Sequence, residues 1–137
     1  MITYNTQLIG NTNELIKLLE MERLVCNFAS IQQFPEKSNS IVILHSKVYK
    51  NIRKSNPEIP AQVVIRAEQE VLSSYRSTKS NKHILKKPIE KKRLSMRLDK
   101  RLYSIPDKLS IRITTPNKPQ TFKFVVYPRV QKFISFC

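Results

Sequence analysis

The chain has one glycine, two cysteines and no tryptophan in 137 residues. The lone Gly10 excludes a Walker loop and a dinucleotide fingerprint, because both need several glycines to bring backbone close to phosphate. Two cysteines, Cys26 and Cys137, cannot frame a disulfide scaffold, so a reducing cytoplasm is the expected compartment. Long apolar stretches are missing too. A run such as Ile41–Leu44 is far too short to span a bilayer. Residues Met1 to Asn5 show no basic segment followed by an apolar run, so no secretory signal is expected.

Acidic residues are scarce: ten Asp and Glu stand against 25 Lys and Arg, for a net charge of +15. The acids are scattered, whereas a two-metal nuclease needs converging carboxylates. Glu14, Glu20, Glu22, Glu68 and Glu70 fall on expected helices and read as ordinary surface charge patterning. His45 and His83 are isolated, and Cys26 has no second Cys or His at zinc-ligand spacing. It lies on an apolar stripe, which makes it a core thiol. No catalytic set, metal or cofactor is expected, and the chain reads as a non-enzyme.

What is present is a switch in period. Asn11 precedes Glu14 at capping-box spacing, and Leu15, Leu18, Leu19, Glu22, Val25, Phe28 and Ala29 follow at helical spacing, predicting a helix over 12–33. Pro35 ends it. A second helix is predicted over 40–54, capped by Asn39 or Ser40, although Ile41–Leu44 also suits a strand. Pro60 suits the first turn of a third helix over 59–77, carried by Ala61, Val64, Ala67, Val71 and Tyr75.

After the basic stretch 79–93 the period becomes two. Leu94, Met96 and Leu98, then Leu109, Ile111 and Ile113, then Phe122, Phe124 and Val126 alternate with polar or smaller residues. This predicts strands over 94–98, 109–114 and 121–126, with turns at Pro106-Asp107 and Pro116–Pro119. Thr3–Ile9 reads as a further strand. The expected fold class is α+β: a small antiparallel β-barrel or sheet with a three-helix insertion. Its parts are 1–10 with 94–127 as the β domain, 11–78 as the helical insert, 79–93 as a basic connector and 128–137 as a tail. No internal repeat is visible.

Charge concentrates between Arg76 and Arg101, where eleven basic residues stand against Glu90 and Asp99, a net +9. A lone charge run is usually a solvated loop. Here the whole chain is basic, which favours a polyanionic partner. The candidate contacts are Lys86, Lys87, Lys91, Lys92, Arg93, Arg97, Lys100, Arg101 and Arg112, expected to line one groove. Phe122, Phe124 and Tyr127 suit the core better than base stacking.

Several segments resemble the N-terminal half of the TnpB (OrfB) family, transposon-encoded RNA-guided nucleases related to type V CRISPR effectors. They are Ile59-Pro60-Ala61-Gln62, Ser74-Tyr75-Arg76-Ser77, Lys86-Lys87-Pro88, the run from Ser95 to Ile105, and the run from Leu109 to Thr115. Val48-Tyr49-Lys50 and Arg53 fit the same helical part. The resemblance implies a wedge-like β-barrel, a helical recognition insert, and a guide RNA or RNA–DNA hybrid as partner, with duplex DNA a further possibility. It implies phosphate contacts at Lys86, Lys87, Arg97, Lys100, Arg101 and Arg112. Two departures stand out. Pro116-Asn117-Lys118-Pro119 replaces the family's Gly-Arg turn, and no room remains for the nuclease domain and zinc ribbon. A fragment, a decayed copy or a shortened binding protein is then expected. The alternative is an unrelated basic phage or plasmid factor that binds DNA or an acidic protein. Neither reading involves a membrane or sets an oligomeric state.

Overall fold

The computed structural model describes residues 7–36, 39–98, 100–107, 109–115 and 118–124. Seven elements follow in order: β1 (Leu8–Ile9), α1 (Asn13–Gln33), α2 (Ile41–Ser55), α3 (Ala61–Ser80), β2 (Tyr103–Asp107), β3 (Ser110–Ile113) and β4 (Gln120–Phe124). They divide into two compact units, one of residues 16–97 and one of residues 1–15 with 98–137.

In the helical unit, each helix forms where the sequence supplies a start signal and a stripe. The Asn11 side chain accepts the Asn13 N–H at 3.1 Å, which satisfies one of the orphan donors of α1. Leu18, Glu22, Val25, Cys26, Ala29 and Ser30 then bury one face. Ser40 caps α2 by accepting the Ile43 N–H, and Leu44, Val48 and Ile52 bury its core side. The Ile41–Leu44 run is therefore helical. Helix α3 buries Val63, Val64, Ala67, Glu68, Val71 and Leu72. It runs three residues past the predicted end and closes on Lys82, which takes the left-handed φ of 57° that glycine usually supplies.

The second unit holds a four-stranded antiparallel sheet in the order β1-β4-β3-β2. The N-terminal strand pairs with the last described strand, Leu8 opposite Phe124 and Ile9 opposite Lys123, as expected. Of the two expected forms, barrel or sheet, the described residues show an open sheet: β1 and β2 are its two edges and do not pair among them. Residues 3–6 of the predicted first strand and 125–126 of the last lie outside the described residues.

A second correction concerns 94–98, which is not a strand. Its alternation is genuine, but one of its carbonyls is claimed elsewhere: the Ser95 oxygen accepts from the Lys91 ammonium. The strand forms instead at Tyr103–Asp107, across the Pro106-Asp107 pair expected as a turn. Two features permit this. β2 is an edge strand, and its pairing with β3 slips between Ser104 and Asp107, so the missing proline N–H disrupts no regular ladder. The turn comes one step later, where the Asp107 carboxylate accepts the Leu109 N–H at 2.8 Å. Phe122 and Ile113 are buried, which makes Phe122 a core residue and not a stacking platform.

Gly10 lies directly after β1 at φ 148°, and a Cβ there would stand 3.2 Å from the Phe122 ring. The single glycine thus occupies a conformation that L-residues rarely adopt, against a buried aromatic. Gly10→Ala is expected to lower unfolding stability by about 1–3 kcal/mol, measured by urea denaturation. A loss below about 0.3 kcal/mol would show that this backbone is not constrained.

Candidate nucleic-acid interface

The segment after α3 is a strap laid along α1. Arg23, Asn27 and Ser30 stand at i, i+4 and i+7, on one face of the helix. Ser30 Oγ donates to the Ile89 carbonyl, and the Ile89 N–H donates to the Tyr75 hydroxyl at 3.2 Å. Asn27 exchanges two bonds with the Lys91 backbone, accepting its N–H at 2.7 Å and donating to its carbonyl at 3.2 Å. Arg23 donates to the Lys92 carbonyl at 3.2 Å. Side chains of α1 and α3 thus supply the partners that a neighbouring strand would otherwise give to this backbone.

Lys91 anchors the strap. Its ammonium donates to Glu22 Oε2 at 2.6 Å, to Glu70 Oε2 at 2.9 Å and to the Ser95 carbonyl at 2.6 Å. All three of its donors are used. Cys26 Sγ donates to Glu22 Oε1 at 3.0 Å. Glu22 is 1% exposed and Glu68 0%, so both are corrected from surface charges to core residues. Glu68 is answered by His45, whose Nδ1 lies 2.9 Å from its Oε2.

The electrostatics follow from burial. Desolvation, with a hydrogen bond that the protonated Glu22 gives to Glu70, pushes the Glu22 carboxyl up to about 7. Burial acts on Glu70 in the same direction, but hydrogen bonds from Glu22, Lys91 and Cys26 hold it below the ordinary range. The two carboxyls thus share a proton beside a cation. Burial opposes charge on Lys91 as well, yet the two carboxylates hold its ammonium above the usual lysine range. Burial and Glu22 raise the Cys26 thiol, so it is a poor nucleophile. Burial also raises Glu68, against the pull of His45.

Glu22, Cys26 and Glu70 bring ligand-type atoms within 4.8 Å of one another, the one such group among the described residues. Lys91 already supplies the cation this group attracts, so its chemistry is that of an ion-pair cluster. Sequence reasoning missed it. The available signal was Glu22, the one polar member of an otherwise apolar stripe.

The nine basic candidates divide between the units. Lys86, Lys87, Lys92, Arg93 and Arg97 are exposed on the helical unit, and Lys100, Arg101 and Arg112 are exposed on the sheet unit. Arg112 Nε lies 3.5 Å from Thr121 Oγ1 across the β3–β4 pair. Lys91 alone is drawn inward, its side chain 14% exposed. The exposed candidates are therefore five cations on the helical unit and three on the sheet unit, with Lys91 holding the backbone beneath those of the helical unit.

The fold is that of a two-unit α+β protein, a three-helix unit with a pinned basic strap and an open antiparallel sheet. No family model, curated protein or solved structure matches the chain. No helix among the described residues is long and apolar enough to cross a membrane.

Two measurements probe the cluster. Lys91→Met leaves the buried Glu22 carboxyl and its neighbour Glu70 without their cation and is expected to cost about 3–5 kcal/mol of stability, whereas Lys92→Met changes it by about 0.5 or less. Equal effects in urea titrations would remove Lys91 from its anchoring role. The folded pKa of Glu22 lies above its reference value of 4.5, so the folded state binds the extra proton between that value and about 7. The resulting stability is fully present below the lower value and is lost as pH rises through the upper one. Relative to Glu22→Gln, the wild type should lose about 2–3 kcal/mol between about pH 5 and pH 8. A gap that stays constant with pH would mean that Glu22 titrates normally.

Proposed function

We propose that this protein is a nucleic-acid-binding module that does not cut its ligand, with structured RNA or an RNA–DNA hybrid preferred over duplex DNA. The observation that carries the reading is the pinned strap. Lys86, Lys87, Lys92, Arg93 and Arg97 are exposed on a segment whose backbone is tied to α1 and α3. Holding cations on a fixed support lowers the entropy lost when they engage phosphates. A solvated loop would need no such ties.

Burial of acids strengthens the field. Residues 16–97 carry seventeen basic and seven acidic side chains, a net +10. Of the seven acids, Glu22 and Glu68 are buried, and Lys91 is drawn inward with Glu22, so outside this interior set the unit keeps sixteen basic and five acidic side chains, a net +11. Backbone phosphates bound there release counterions, and affinity then falls steeply with salt. The preference for RNA is supported by the TnpB resemblance and by the A-form shape and 2′-hydroxyls that such modules read. Charge alone does not order RNA above DNA.

Filter binding across a salt series tests the proposal. With six to ten phosphates contacted, affinity should drop roughly 10³–10⁵ between 50 and 200 mM salt. Replacing Lys86, Lys87, Lys92 and Arg93 together with Gln, with Lys91 left in place, should reduce the logarithmic salt slope by about one per lost contact. Circular dichroism should stay unchanged. An unaltered slope would reduce the strap to a solvated loop, and equal affinity for RNA and duplex DNA would leave a general polyanion binder. Incubation of RNA, DNA and hybrid with Mg²⁺ or Mn²⁺ should yield no cleavage. Turnover abolished by changing one carboxylate would overturn the non-catalytic reading.

A further inference from the structure

Helix α3 has a second face. Opposite its buried side, Arg66, Gln69 and Ser73 recur at i, i+3 and i+7, one above another. With Glu22, Glu70, Ser74, Met96 and Arg97 they line a cleft of about 300 Å³, all of it within the helical unit. Met96 is the one apolar residue of that lining. Sites for apolar small molecules are walled by aliphatic and aromatic groups, and this one is walled by polar groups, both donors and the two carboxyls.

Two features give the cleft its chemistry. Arg66 Nη1 donates to Gln69 Oε1 at 2.8 Å, which leaves the Gln69 amide nitrogen as an outward donor. Arg66 Nε is buried and has no acceptor among the described residues. A buried N–H without an acceptor is unfavourable and calls for one. Charge points the same way. The lining carboxyls Glu22 and Glu70 are held by Lys91, so Arg66, Arg97 and Lys91 set three cations against two carboxyls.

We propose that this cleft binds a phosphate group, with the Arg66 and Arg97 guanidiniums as its charged clamps and Gln69, Ser73 and Ser74 as neutral donors. Phosphate offers several strong acceptor oxygens, which suits a planar guanidinium whose Nε lacks a partner. The group can come from a polynucleotide backbone or from a free nucleotide or inorganic phosphate. Only the first source rests on the nucleic-acid reading above. In that case the cleft takes one phosphodiester while the exposed strap cations follow the neighbouring backbone.

The test uses the full chain and three probes: inorganic phosphate, adenosine monophosphate and a short single-stranded RNA. Calorimetry measures affinity, and the ¹⁵Nε–¹H resonance of Arg66 reports on the site. The expected result is a shift and slowed exchange of that resonance with at least one probe. Arg66→Lys keeps the charge but loses the fork, and should weaken that probe about tenfold. Ser73→Ala, at an exposed position, should weaken it about threefold without affecting folding. Loss of phosphate or mononucleotide binding in these variants supports a free-ligand site, and loss confined to RNA supports a backbone site. RNA binding that is unchanged in Arg66→Lys, Arg97→Gln and Ser73→Ala, with a still Arg66 resonance, overturns the cleft and leaves the strap reading standing. A mononucleotide that moves the resonance while RNA fails to bind supports the cleft and removes the nucleic-acid reading. No binding by any probe overturns both.

Discussion

A carboxyl taken out of water must be neutralised or answered by a cation, and in this chain the answer comes from far along the sequence. Lys91 reaches Glu22 across 69 residues and Glu70 across 21. Its ammonium bridges α1 and α3, and its own backbone is held by Asn27. The segment after α3 is thereby turned back onto the helices. The ties made by Arg23, Ser30 and Tyr75 all lie along that same return path. Breaking such a pair costs more than forming it gains, because one partner is left charged and buried.

The same economy of acids shapes the surface. Two of the helical unit's carboxyls, Glu22 and Glu68, serve internal partners. The cations facing solvent are therefore less diluted by acid than composition suggests, and the strap presents several of them from a fixed backbone. The cleft on α3 follows from this arrangement. Glu70 would oppose an anion there were it not already engaged by Lys91, and Arg97 reaches the cleft because the strap passes beside α3.

The three helices were legible because their stripes and caps act locally. Ser40 and Pro60 stand directly before a helix and Asn11 two residues before one, and Leu44, Val48 and Ile52 face inward at helical spacing. The sheet was legible only in part. Ile113 and Phe122 are buried as the alternation requires, but Leu109 is 49% exposed and Ser110 takes the buried place beside it. The strand read at 94–98 failed for a different reason. Alternation describes side chains, and whether a strand forms depends on what its backbone pairs with. Here Lys91 captures the Ser95 carbonyl, and the edge position of β2 lets Pro106 into a strand.

By itself the sequence determined the α+β class, the three helices and the excess of positive charge. These properties follow from short-range periodicity and from composition, and neither depends on which distant groups meet. The tertiary structure alone decided that the described strands form an open sheet, that Lys91 belongs to the interior, that Glu22 and Glu68 are core residues, and that Arg66 and Arg97 share a cleft. Each of these depends on contacts between residues far apart in the chain. A lysine in a basic run and a lysine in a buried ion pair have the same local sequence signature, and only the fold tells them apart.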